Sequence, residues 1–108
     1  MEEMTTVNQL QSIRVLIEAD LIKIVTAFLA HQREDIPSIN TALQQADFLT
    51  ITRLGHNLKG AGASFGFPYL TILGCDLEQA AQHQQPAAIQ QVVRALQTYL
   101  DCVELAPM

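Results

Sequence analysis

The residues best suited to chemistry in this sequence surround one histidine in the run RLGHNLKG, residues 53–60. The imidazole of His56 is a neutral nucleophile near pH 7. At about 100° per residue, a helix would place Arg53 one turn before this ring and Lys59 one turn after it, with Gly60 next to it. The pattern therefore presents a nucleophile between two cations on a face of small residues.

A helix packed against other helices is the element that must position this histidine. Apolar residues recur here at intervals of three and four, as on the buried face of a bundle helix: Ile51, Leu54, Leu58, Ala61 and Phe65. This apolar stripe centres almost opposite His56. We therefore expect the imidazole to point into solvent.

Glu78 is the candidate partner of the imidazole from a different helix. If two helices form a hairpin that turns near Gly66, His56 and Glu78 lie about 15 and 18 Å from the turn at 1.5 Å per residue. At nearly equal height, a carboxylate could accept a hydrogen bond from Nδ1 and leave Nε2 free to react. From geometry alone, an ordinary solvated glutamate is an equally good interpretation.

Helical periods dominate the sequence, and no alternating run clearly indicates a strand, so we predict an all-α domain. A short first helix is expected from about Thr6 to Ile17. Four longer helices follow: Asp20 and Asp47 are N-cap candidates for the first two, and Pro68 opens the third. The last helix follows a break at Gln84-Gln85-Pro86 and is expected to reach Val103 on its buried face. Because the connections are short, we predict an antiparallel up-down four-helix bundle, with the N-terminal helix covering one end.

The second helix carries an apolar series spaced for burial: Leu21, Ile24, Val25, Phe28 and Leu29. Pro37 lies further along the same pattern. Either the helix kinks there and continues to about Gln45, or it breaks near the proline, which removes a backbone donor. We favour the kink.

Length and composition suit one domain spanning residues 1–108, with the motif-bearing part at about 20–103. The chain is 49% apolar and carries a net charge of −5 with only six Lys and Arg, which argues against binding to nucleic acid or to an anionic membrane. Neither a leader peptide nor an uninterrupted apolar span is evident. We therefore expect a cytoplasmic protein, monomeric and without membrane contacts.

Other residues with reactive or ligand side chains lack a suitable pattern. Cys75 and Cys102 are far apart in sequence and fall inside helical segments, so we interpret them as reduced thiols. His31 and His83 have no partner at metal-ligand spacing, and no metal site is predicted.

The run His56-Asn57-Leu58-Lys59-Gly60, followed by Ser64-Phe65-Gly66 and by Leu77-Glu78, resembles the signature of histidine-containing phosphotransfer (HPt) domains. The likeness extends to Phe28, the Ala42-Leu43 pair and Asp47. It covers roughly Asp20 to Val103. The sequence departs from the commoner family pattern at Gly55, where alanine is often found, and at Asn57, where serine or threonine is frequent.

This resemblance implies a helical bundle that accepts a phosphoryl group on His56 from a phospho-aspartyl receiver domain and passes it to another. It implies that Lys59 stabilises the charge of the phosphoryl group, and that Gly60 leaves a gap for the receiver. Glu78 matches the polar partner of the histidine, while Arg53 and Ser64 would belong to the partner-binding face. The partners implied are response-regulator receiver domains or a hybrid sensor histidine kinase.

The chain has no acidic cluster on the His56 face and no nucleotide-binding loop. We therefore expect no cofactor on this chain, with Mg²⁺ supplied by the receiver domain, and a phosphoryl carrier without kinase activity of its own. Gly55 and Gly62 are best explained by close helix packing. Leu16 is a candidate for an exposed apolar residue that docks the receiver.

Two other functions stay open. The chain could be an interaction module that binds a receiver or kinase without carrying phosphate. It could also be the substrate domain of a larger histidine kinase, phosphorylated by a kinase catalytic domain.

Overall fold

The computed structural model describes residues 13–108, which form a helical bundle with a small sheet at the chain's two described ends. In chain order the elements are β1 (Ile13–Ile17), a 3-10 turn (Ala19–Leu21), α1 (Ile22–Gln44), α2 (Phe48–Phe65), α3 (Pro68–Gln82), α4 (Pro86–Cys102) and β2 (Val103–Pro107). The described part of the chain thus contains the four long helices that the sequence predicts.

The described residues are mostly helical, as predicted, but two short strands correct the prediction that no segment forms a strand. Residues 13–17 pair in parallel with residues 103–107, in a register that runs from Ile13 opposite Val103 to Ile17 opposite Pro107. The predicted first helix, from Thr6 to Ile17, is therefore wrong over its last five residues, and its earlier part lies outside the described residues. The last helix ends at Cys102, so Val103 belongs to β2 and not to α4.

The spacing of isoleucines explains this error. Ile13 and Ile17 are four residues apart, which fits a helix, but Ile13, Val15 and Ile17 also alternate with the exposed Arg14 and Leu16. The alternation decides the outcome because β2, far away in sequence, offers hydrogen-bond partners to the backbone of β1. A local pattern does not contain that information.

The start of α1 also differs from prediction. Leu21 is 43% exposed and Ile24 is 54% exposed, whereas Val25, Phe28 and Leu29 are buried as expected. Asp20 lies in the 3-10 turn and does not cap α1, whose N-cap is Leu21 without a side-chain hydrogen bond. The register of the buried face is therefore set from Val25 onward.

Pro37 lies inside α1, which continues to Gln44. The alternative of a break near this proline is wrong, and the favoured continuation of the helix to about Gln45 is confirmed. The buried residues Ile36 and Ile39 flank the proline, while Pro37 itself is exposed. Packing against the core on both sides thus holds the helix together where one backbone donor is missing.

Clear local signals set the ends of α2, the helix that carries His56. The Asp47 carboxylate accepts a hydrogen bond from the backbone N–H of Thr50 at 3.2 Å, as the predicted N-cap should. At the other end, Gly66 has a φ of +79°, a left-handed conformation that glycine adopts at low cost. Pro68 then starts α3, where its missing N–H is harmless.

Candidate functional site

His56 lies on the exposed face of α2. Its side chain is 67% exposed, whereas Ile51 and Leu58 on the opposite face are buried in the core. Leu54, Ala61 and Phe65 complete the predicted apolar stripe and are half-buried. The helical spacing therefore turns the imidazole towards water, as the sequence predicts.

Glu78, on α3, joins the two predicted site residues of α2. Its Oε2 lies 3.2 Å from Nδ1 of His56, and its Oε1 lies 2.8 Å from Nζ of Lys59. The glutamate side chain is only 16% exposed, while that of Lys59 is 37% exposed. One carboxylate, mostly shielded from solvent, thus bridges the histidine and the lysine.

The contact with Glu78 assigns different roles to the two ring nitrogens of His56. An ionised carboxylate can only accept hydrogen bonds, so Nδ1 of the imidazole is the donor. In the neutral ring, a proton on Nδ1 leaves the lone pair on Nε2. The atom that faces away from Glu78 is therefore the nucleophilic one.

The electrostatics of the site depend mainly on the Lys59–Glu78 pair. The hydrogen bond from Lys59 lowers the pKa of Glu78, and the contact with His56 contributes in the same direction. The hydrogen bond to Glu78 raises the pKa of Lys59. Both side chains are therefore charged at neutral pH, and the carboxylate remains a hydrogen-bond acceptor.

The other predicted site residues lie along the same face of α2 without contacting the ring. Gly60 is exposed, and a Cβ added to it would meet no atom within 4 Å. Arg53 and Ser64 are exposed on either side. Within residues 13–108, no hydrogen bond or ion pair joins either of them to His56. The structure thus brings His56, Lys59 and Glu78 together and leaves an open rim around them.

Leu49 and Leu16 are exposed apolar residues. Leu49 is 64% exposed and precedes His56 by about two helical turns, which places both on one face of α2. Leu16, the docking residue suggested by the sequence, is 58% exposed on β1. Leu49 was missed by the sequence reasoning, although its spacing of seven residues from His56 could have identified it.

The interface between α2 and α3 depends on three glycines. A Cβ at Gly55 would lie 2.6 Å from the backbone nitrogen of Glu78, and one at Gly62 would lie 2.7 Å from that of Thr71. The predicted close packing at these two glycines is confirmed. Gly74, on α3, packs as closely against the backbone of Lys59 and was not predicted. Its position four residues before Glu78, inside a helix, was the available signal.

The other histidines and the cysteines of the described residues have separate surroundings. Nδ1 of His31 lies 3.9 Å from Oε1 of Glu34, and its Nε2 lies 3.9 Å from Oδ1 of Asp35. Nδ1 of His83 donates to the backbone oxygen of Gln79 at 2.8 Å. Cys75 and Cys102 are free thiols. Among residues 13–108, no group of three or more His, Cys, Asp and Glu could hold a metal ion, and no helix has the length and hydropathy to span a bilayer.

Comparison with known proteins supports the resemblance seen in the sequence. The family model described as Hpt domain matches residues 23–105, which is most of the chain. Searches of curated proteins and of solved structures found no match. The matched range contains all four helices except the first residue of α1, together with His56, Lys59 and Glu78, and on this basis the chain belongs to the Hpt domain family.

Proposed function

We propose that this protein is a phosphoryl carrier of a two-component phosphorelay. His56 accepts a phosphoryl group from a phospho-aspartyl receiver domain and passes it to another receiver. The observation that carries this proposal is the exposed imidazole whose Nδ1 is held by Glu78, at 3.2 Å, so that Nε2 faces solvent as the free nucleophile. The family assignment supports phosphotransfer as the class of function.

The transfer step follows from this arrangement. The Nε2 lone pair attacks phosphorus, an N–P bond forms, and the P–O bond to the aspartyl group of the receiver breaks, releasing its carboxylate. Nδ1 keeps its proton, so the ring gains positive charge as the N–P bond forms. Glu78, ionised and in contact with Nδ1, stabilises that charge. Transfer to the second receiver is the same step in reverse.

Lys59 supplies the cation next to the phosphoryl group. A phosphoryl group adds nearly two negative charges at pH 7. The ammonium of Lys59 is held near His56, because both side chains contact the Glu78 carboxylate. The open space at Gly60 lets a receiver approach His56 for in-line transfer. Arg53 and Ser64 lie on the rim that the receiver would contact.

Phosphoryl transfer between oxygen and nitrogen also requires a metal ion to neutralise charge on the moving group. We assign this Mg²⁺ to the receiver domain, and the present chain to the role of carrier, not of autonomous kinase. A monomer in the cytoplasm, with receiver domains or a hybrid sensor kinase as partners, completes the proposal. We also propose that the bundle is antiparallel. In support, Gly55 of α2 faces Glu78 of α3 and the later Gly62 faces the earlier Thr71, so the two helices run in opposite directions.

The test is transfer from a defined donor. The purified protein is incubated with Mg²⁺ and receiver domains labelled with ³²P on their aspartate. In a separate reaction it is incubated with ATP labelled with ³²P on the γ-phosphate and a histidine-kinase catalytic domain. We expect label from at least one receiver to appear on His56 as acid-labile, base-stable phosphate. Label from the kinase domain alone would replace the proposal by the kinase-substrate role, and receiver binding without label would replace it by the interaction module.

A further inference from the structure

The contact between Glu78 and His56 depends on how closely α2 and α3 approach each other. Two of the three interface glycines touch the backbone of site residues: Gly55 touches Glu78, and Gly74 touches Lys59. The third, Gly62, meets Thr71 about two turns away from His56. Gly55 and Gly74 therefore lie at the site, and Gly62 lies in a separate part of the α2–α3 interface.

The distances show how little freedom the site has. A Cβ at Gly55 would lie 2.6 Å from the Glu78 nitrogen and 3.0 Å from its Cα, while ordinary van der Waals contact begins at 3.4 Å. Relieving the shorter contact requires a displacement of about 0.8 Å. The Nδ1–Oε2 distance is already 3.2 Å, so a displacement of that size away from α2 would take it beyond hydrogen-bonding range.

We infer that Gly55 and Gly74 are positioning residues of the phosphorylation site: by allowing backbone contact between α2 and α3, they bring the Glu78 carboxylate within reach of His56 and fix the proton on Nδ1. This inference rests on the proposed function for its biological meaning. The physical claim concerns only the tautomer of the imidazole and can be tested without any phosphoryl donor.

The test compares glycine-to-alanine variants at four positions. Gly55→Ala and Gly74→Ala introduce a clash at the site. Gly62→Ala introduces a clash away from it, at 2.7 Å against 2.6 Å for Gly55, and Gly60→Ala adds a methyl group in open space. Long-range ¹H–¹⁵N spectra of each variant report which ring nitrogen carries the proton in the neutral imidazole. His83, whose Nδ1 donates to a carbonyl of α3, the helix that it follows, provides an internal reference in every spectrum.

We expect the proton on Nδ1 of His56 in the wild type, Gly60→Ala and Gly62→Ala, and loss of this preference in Gly55→Ala and Gly74→Ala. The His83 signals should be unchanged in all five proteins. An unchanged preference in Gly55→Ala and Gly74→Ala would overturn the inference. So would an equal loss in Gly62→Ala, because that result would show general loosening of the bundle.

Glu78→Asp provides a second test in case an alanine variant does not fold. This change keeps the charge and adds no clash, but it shortens the side chain by one methylene group. If the glycines fix the helix separation, the shorter carboxylate falls short and the Nδ1 preference is lost. A retained preference would contradict the inference, since it would mean that the helices adjust their spacing freely. Failure of all proteins to accept phosphate would contradict the proposed function and leave this readout intact.

Discussion

His56 and His83 are both exposed histidines, and both use Nδ1 as a hydrogen-bond donor, yet their surroundings differ in charge. Nδ1 of His83 donates to the neutral backbone oxygen of Gln79 in α3, the helix that His83 directly follows. Nδ1 of His56 donates to a carboxylate from another helix, and that carboxylate also binds Lys59. Exposure and a defined tautomer are therefore common to the two residues, and only His56 combines them with a charged network.

A histidine that accepts a phosphoryl group, as we propose for His56, needs more than accessibility. A carboxylate can stabilise a ring that becomes positive, which a carbonyl oxygen does less well because it carries no full charge. A cation nearby can stabilise the incoming group. Both features come from tertiary packing of α2 on α3, whereas the hydrogen bond of His83 is local to one helix.

Removing each histidine in turn should give the largest effect. We expect His56→Gln to abolish phosphorylation by a labelled receiver, because no other described histidine has an ionised partner together with a lysine. His83→Gln should be labelled as the wild type is. The measurement is the ³²P bound per protein molecule after incubation with the receiver. Labelled His56→Gln, or unlabelled His83→Gln, would show that the charged network does not select the site.

A bulky side chain at Gly60 should produce the next largest effect. Gly60→Phe places a ring in the space beside His56, and a displacement of the receiver by about 1 Å can slow transfer roughly 100-fold. Thermal unfolding should show a folded protein, since Gly60 is exposed and a Cβ added to it meets no atom within 4 Å. Gln97→Phe, at an exposed position on α4, is the matched control and should transfer normally. Normal transfer by Gly60→Phe would remove this face from the docking surface.

Neutralising Glu78 tests the charge difference between the two histidines. Glu78→Gln keeps an acceptor oxygen of the same reach but removes the charge, so His56 becomes more like His83. We expect phosphotransfer to slow roughly tenfold, as for loss of one charge-assisted hydrogen bond. Glu34→Gln, which removes the carboxylate near His31, should have no effect on the rate. An unchanged rate in Glu78→Gln would mean that a neutral acceptor is sufficient.

The smallest expected effect concerns stability and pH. Because the hydrogen bond from Lys59 lowers the pKa of Glu78 below 4.5, the folded chain binds this proton less tightly than the unfolded chain does. The pair therefore contributes fully above the ordinary glutamate pKa, and its contribution is lost as the pH falls through the lower folded value. The stability difference between wild type and Glu78→Gln, from urea unfolding, should shrink on acidification. A stability difference that stays constant with pH would contradict this prediction. The effect is small because Lys59 is partly exposed to solvent.

Local patterns were sufficient for most of the helices. Asp47, Gly66 and Pro68 mark helix ends by backbone chemistry that acts within a few residues, and the structure has these ends where the sequence predicts them. The strand at Ile13–Ile17 was not predictable in the same way, because its partner is about 90 residues away and the isoleucine spacing also fits a helix. Leu21 and Ile24 were misassigned because the start of α1 depends on that strand and on the turn after it.

The site also combines features that local spacing predicts with features that depend on packing between helices. The position of His56 on the solvent-exposed face of α2 follows from the apolar spacing alone. The height of Glu78 on α3 was predictable from the turn near Gly66, but its contact with His56 depends on the distance between the helices. That distance depends on Gly74 meeting the backbone of Lys59, a contact between two helices whose only sign in the sequence is a glycine inside the α3 segment.

The most direct test of the account is the position of the phosphoryl group on the phosphorylated protein. The protein is labelled with ¹⁵N, phosphorylated by a receiver domain and examined by ³¹P and ¹⁵N NMR for the coupling across the N–P bond. We expect a single phosphohistidine, with phosphorus bonded to Nε2 of His56 and the proton retained on Nδ1 next to Glu78. Phosphorus on Nδ1 of His56, or on any other residue, would contradict it.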